Sequence, residues 1–132
     1  MSVGLLLVAH GDMGAELIRV ARSLVGELSL RAESVSMPND CDDGAALAQV
    51  RRLVGELDQG DGVLVMTDLY GATPSNICGR IEDLGGHTVR VSGLNLPMLL
   101  RVLNYAGQPL PELARTALAG GRGGIILDPE AA

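Results

Sequence analysis

Residues 3–9, VGLLLVA, form an unbroken apolar run that stops at His10 and a turn signal opening with Gly11. Such a run is too short for a buried helix and long enough for a strand covered on both faces. Beyond Gly14 the pattern changes. Leu17, Ile18, Ala21, Leu24, Val25 and Leu28 recur at spacings of three and four, the stripe of an amphipathic helix. Residues 32–37, AESVSM, predict a more polar strand of the kind found at a sheet edge, closed by Pro38. Asp42 or Asp43 can cap a second helix whose apolar face is Ala46, Leu47, Val50, Leu53, Val54 and Leu57. Gly60-Asp61-Gly62 then turns the chain into VLVMT, residues 63–67, a second apolar strand ending at Asp68. Thr73-Pro74 reads as an N-cap and a first helical residue, with Ile77, Ile81 and Leu84 as the buried stripe and Gly85-Gly86 as the stop. HTVRVS, 87–92, alternates as a strand, and 97–105 and 111–119 are helical in pattern. Gly120 to Gly124 reads as a glycine-rich turn into a last short strand, 124–127.

Strands and helices alternating at these lengths predict an α/β, doubly wound, mostly parallel sheet with helices on both faces, in one domain over residues 1–132. Right-handed crossovers leave few arrangements. If the polar second strand is an edge beside the first, the third lies on the first strand's other side, and the order is 2-1-3-4. The direction in which the connections run then reverses between strands 1 and 3, and ligands of such sheets bind just beyond the carboxyl ends of those strands. His10 ends one and Asp68 ends the other. Two polar residues far apart in sequence are thereby expected to face one crevice.

Composition narrows the chemistry. The apolar share of 47% supplies one sizeable core. No apolar stretch approaches the ~18 residues a membrane span needs, and no basic leader precedes residue 5, so a soluble, unprocessed protein is expected. Cys41 and Cys78 form no C-x-x-C, which fits two thiols in a reducing cytoplasm. The formal charge is −6, all ten cations are arginines, and the aromatic share is 2%. Clustered cations and stacking platforms are missing, which argues against nucleic acid. The absence of lysine removes a P-loop, a Schiff base and a lysine base.

What remains is the histidine. If Asp68 accepts the N–H of one ring nitrogen it fixes the tautomer, leaves the other nitrogen as a nucleophile, and stabilises the positive charge that grows during attack. Gly11 and Gly14 would let backbone approach a ligand, and helices starting near residues 14 and 74 would aim N–H groups at the same mouth. An anion on His10 would be well received, with Thr73 adding a hydroxyl. His10 reads equally as a strand-end histidine satisfied by a backbone carbonyl, and the placement of Asp68 tips the balance. Asp12 reads as a turn or cap residue. Asp40, Asp42 and Asp43 read as a cap and a solvated loop rather than a metal site, and His87 as a surface residue.

Three stretches, "VAHGDMGAELI" around His10, "GVLVMTDLYGATPSN" from 62 to 76 and "GLNLPMLLRVL" from 93 to 103, resemble the mannose-class IIA components of the bacterial phosphoenolpyruvate-dependent sugar phosphotransferase system. The resemblance runs over nearly the whole chain. It implies that His10 receives a phosphoryl group through Nε2 from the phosphocarrier HPr and passes it to a IIB partner, without metal or cofactor. It implies that Asp68 orients His10, and that Gly11, Ala72 and Thr73 line the phosphoryl group. It also implies a cytoplasmic homodimer in which strand 124–127 pairs antiparallel with the partner's sheet. Ala72 departs from the family's usual second glycine and Ser75 from a larger residue. With no IIB portion following, the expected roles are service to a separate IIB protein or a regulatory report of phosphorylation state. Tyr70 and Leu94 to Met98 are candidate rim residues. A receiver domain, which needs an acidic pair ending strand 1 and a later lysine, does not fit. A dihydroxyacetone-kinase IIA-like carrier and a non-catalytic anion-binding module are the remaining alternatives.

Overall fold

The computed structural model describes residues 2–37, 43–74, 76–77, 79 and 87–129. Four strands, β1 (Gly4–His10), β2 (Ala32–Met37), β3 (Val63–Thr67) and β4 (Thr88–Ser92), form one sheet in the order β2-β1-β3-β4. All three pairings are parallel, with Leu5 opposite Ala32 and Leu64, and Val63 opposite Thr88. Four helices lie wholly within the described residues, α1 (Met13–Val25), α2 (Asp43–Leu57), α3 (Leu96–Asn104) and α4 (Leu110–Gly123), and helical residues recur from Thr73. The predicted strand order and the switch point between β1 and β3 are therefore present.

Alternation along the two central strands builds two cores. Leu5, Leu7, Leu64 and Met66 pack with Ile18 and Ala21 of α1, Met98, Leu99 and Val102 of α3, and Leu113 and Ala117 of α4. Leu6, Val8, Val63 and Val65 face the other way, onto Val50, Leu53 and Leu57 of α2 and onto Ile77. β1 is thus apolar at successive positions because both faces are covered, whereas β4, at the sheet edge, is only half-buried along its length.

Three local expectations are corrected. Helix α1 stops at Val25, because Gly26 takes φ +80° and returns its N–H to the Arg22 carbonyl at 2.9 Å. Leu24 and Val25 are consequently exposed, although they continue the apolar spacing. Glycines 120, 121 and 123, read as a turn, lie within α4. The first two are there for close approach: a Cβ on Gly120 would come within 2.5 Å of the Arg101 Cβ, and one on Gly121 within 2.9 Å of the Met98 Cε, whereas one on Gly123 would meet open space. Residues 124–127 accordingly follow a longer helix and form no strand within the chain, with Ile125, Ile126 and Leu127 exposed. Finally, Thr73 is a helical residue rather than the cap, since the Ala72 carbonyl already accepts from the Asn76 N–H at 3.0 Å. Pro38, Asp42, Ile81, Leu84, Gly85, Gly86 and both cysteines lie outside the described residues.

Candidate functional site

β1 and β3 deliver His10 and Asp68 side by side at the carboxyl edge of the sheet. The His10 backbone N–H donates to Asp68 Oδ2 at 3.0 Å, and His10 Nδ1 lies 2.7 Å from the same oxygen. Asp68 itself is anchored from behind. Thr67, fully buried, takes the N–H groups of Gly93 and Leu94 on its carbonyl, both at 3.0 Å, and its hydroxyl meets that of Ser92 at 2.8 Å. The end of β3 is therefore held by the end of β4 just before the carboxylate leaves the sheet.

Exposure and charge assign the roles within the pair. The Asp68 side chain is 9% exposed and the His10 side chain 41%. Burial disfavours charge on Asp68. It is outweighed by the hydrogen bonds from the His10 backbone and ring and by attraction to a charged imidazole, which together hold the carboxyl below its ordinary value. An ionised carboxylate only accepts, so Nδ1 carries the proton and donates it to Oδ2. Whenever the ring is neutral, the lone pair is therefore on Nε2. Asp68 Oδ1 is buried and has no hydrogen-bond partner among the described residues.

The loop after His10 is fixed toward β2. Gly11, at φ +53°, donates its N–H to the Met37 carbonyl at 3.1 Å and accepts from the Ser36 hydroxyl at 2.6 Å. Asp12 stands at the N-cap position of α1 without a side-chain cap bond, and its carboxylate lies 3.4 Å from Ser36 Oγ. Gly14 serves packing rather than a ligand, since a Cβ there would meet the Leu7 and Ser34 Cβ atoms at 3.2 Å. On the β3 side, the Asn76 side chain donates to the Gly71 carbonyl at 3.1 Å, and the Ala72 N–H bonds the Leu69 carbonyl at 3.2 Å. This closes a tight loop that presents Thr73, which is exposed, at the start of a helical turn.

Leu69 and Tyr70 project from that loop, 61% and 76% exposed, and Arg90 of β4 stacks over the Tyr70 ring at 5.8 Å. Tyr70 is thus a surface residue beside the pair, as expected, but Leu94 and Met98 are not: both are buried in the core on α1, α3 and α4. Between them Asn95 caps α3 by accepting the Met98 N–H at 2.9 Å and ties α3 to α4 through the Gly121 carbonyl. Ser36 was not singled out in the sequence. Its only signal was a small hydroxyl residue at the end of an edge strand, in register with Ala9 beside the histidine.

Among the described residues no group of three or more His, Cys, Asp or Glu is placed to hold a metal ion, and no helix is long and apolar enough to cross a membrane. Asp43 is exposed in the first turn of α2, His87 is exposed, and Asp40 and Asp42 lie outside the described residues.

The fold and the site together define an open parallel sheet with a histidine–carboxylate pair at its switch point, one ring nitrogen engaged by the carboxylate. Residues 4–116 match the EIIA-man family, described as the PTS system fructose IIA component, and the chain belongs to that family of mannose-type phosphotransferase-system IIA components. It is 26% identical over 127 residues to the mannose-specific EIIAB component of Escherichia coli K12, covering 95% of this chain and 39% of that protein. The LevR transcriptional regulatory protein of Bacillus subtilis is 29% identical over 108 residues, 78% of this chain and 11% of that one. The chain thus spans well under half the length of these relatives. Among solved structures, the mannose/sorbose-specific IIA subunit from Enterococcus faecalis superposes with a TM-score of 0.85 at 28% identity, covering 96% of this chain and 95% of that one.

Proposed function

We propose that the protein is a phosphoryl carrier in which His10 Nε2 accepts a phosphoryl group from phospho-HPr and gives it up to a IIB component. The observation that carries this reading is the 2.7 Å contact between His10 Nδ1 and Asp68 Oδ2, which leaves Nε2 as the nucleophile. In the transfer, the Nε2 lone pair forms a new bond to phosphorus as the bond to the donor nitrogen breaks, and the donor imidazole keeps that electron pair. The Nδ1 proton stays in its hydrogen bond, so the Asp68 carboxylate offsets the positive charge the ring acquires. Positioning and N–H donors supply the catalysis, and the reaction requires no metal.

Thr73, through its exposed hydroxyl and the helical turn it opens, lines the phosphoryl group together with Ala72. Gly11 contributes by keeping the strand end free of a side chain, because its N–H is already given to Met37. Leu69, Tyr70 and Met13, all exposed near the pair, form an apolar rim suited to receiving a protein donor. In this role the protein works in the cytoplasm, as a homodimer whose segment 124–127 adds to the β4 edge of a partner. The exposed Ile125-Ile126-Leu127 and the half-buried edge strand support that pairing. The similarity to a transcriptional regulator supports a second reading of the output, in which phosphorylated His10 reports phosphorylation state to a regulatory target.

The test is incubation with phosphoenolpyruvate, enzyme I and HPr. Label that is acid-labile, base-stable and absent from His10→Ala is expected. Absence of label on the wild type, with phosphate bound non-covalently, would instead make the chain an anion-binding module.

A further inference from the structure

The Gly11–Asp12 peptide, at the mouth of the site, is held by a side chain from the neighbouring strand. The Ser36 hydroxyl donates to the Gly11 carbonyl at 2.6 Å, from β2. In a trans peptide the carbonyl and the following N–H point in opposite directions. With the Gly11 carbonyl turned toward Ser36 of β2, the Asp12 N–H is turned away from that strand. No hydrogen bond among the described residues engages that N–H. Gly11 has φ +53° and no side chain, so on its side of the peptide the hydrogen bonds from β2 hold the orientation, while Asp12, at φ −95° and with its carbonyl taking the Glu16 N–H at 2.9 Å, anchors the other side.

We propose that Ser36 is a positioning residue for phosphoryl transfer: by holding the Gly11 carbonyl it aims the Asp12 N–H at the phosphoryl group carried on His10. This rests on the carrier reading above. An N–H fixed in advance stabilises charge on the transferring oxygens without having to reorganise, whereas one on a freely rotating peptide must first be oriented. The Asp12 carboxylate, 3.4 Å from the same hydroxyl, is kept on the β2 side by the arrangement. The negative side chain is thus directed away from the anion while its own N–H faces it.

The experiment follows transfer from phospho-HPr in wild type, Ser36→Ala and Ser36→Thr, alongside the Asp12 amide resonance of uniformly 15N-labelled protein before and after phosphorylation. The alanine variant is expected to lose roughly tenfold in kcat with KM for HPr unchanged, and the threonine variant to recover it. The Asp12 amide proton is expected to move downfield on phosphorylation in wild type and Ser36→Thr, and to stay in place in Ser36→Ala. A wild type that takes no label at His10 overturns the carrier reading. A wild type that is labelled while its Asp12 amide stays in place, or a folded alanine variant with wild-type kcat, overturns the role of Ser36 alone. Should Ser36→Ala fail to fold, the wild-type amide shift decides.

Discussion

At the scale of single residues, the site is two side chains that define each other. Asp68 Oδ2 receives both the backbone N–H and Nδ1 of His10. One oxygen therefore fixes both where the ring sits and which nitrogen is free. Asp68→Asn keeps the size and most of the packing but removes the charge that offsets the developing imidazolium. Transfer is expected to slow by at least about tenfold, with label still at His10, in a single-turnover assay with phospho-HPr. The same pair sets an acid dependence. Because the folded carboxyl is held below its ordinary value, its stabilising contribution is complete above the unfolded carboxylate pKa and is lost as pH falls through the lower, folded one. Thermal melts on the acid side of the ordinary carboxylate range should therefore fall more steeply in wild type than in Asp68→Asn. The pair was legible from topology alone, since each residue ends an apolar strand flanking the switch point. Ser36 was not, because its partner is a backbone carbonyl, and sequence carries no mark of which carbonyl a hydroxyl will reach.

At the scale of elements, legibility followed burial. β1 and β3 announce themselves as short apolar runs bounded by glycine and by the site residues, and α2 presents its apolar face at the expected positions. Local propensity misled where a neighbouring helix imposes a closer distance than the pattern records. Gly120 and Gly121 weaken a helix in isolation, yet they let α4 approach α3 closely enough for the Arg101 stem and Met98 to cover them. Thr73 likewise carries a capping residue type, but the Ala72 carbonyl starts the helical bonding one residue earlier. These distances make Gly120→Val a selective probe. Its Cβ would fall 2.5 Å from the Arg101 Cβ, so the helices must separate. The cost is expected to be about 1–3 kcal/mol, read as a lowered midpoint in urea. Label on the folded fraction should still be confined to His10, because a side chain at Gly120 would meet Arg101 and Pro97 and neither member of the pair.

At the scale of the whole molecule, the described surface is unevenly finished. β2 and β4 are both sheet edges, but beside β4 runs a groove where Val89, Val91, Ala114 and Leu118 lie between Arg90, Ser92 and Arg115, and the segment after α4 exposes three consecutive large aliphatic residues, Ile125 to Leu127. Within one chain these residues form no strand, and β4 is a sheet edge that an extended segment can join. Adding 125–127 of a second copy along β4 would extend the sheet and cover the groove in the same step. Two such exchanges related by a two-fold axis form a closed dimer. Ile126→Asp places a charge in the middle of that strand. It is expected to convert a dimer into a monomer in sedimentation equilibrium at micromolar concentration while leaving His10 able to accept phosphate, since the substitution lies outside the histidine–aspartate pair. A wild type that sediments as a monomer across that range would refute the exchange. A monomeric Ile126→Asp that no longer accepts phosphate would mean that the dimer completes the site, so the two measurements together separate assembly from chemistry.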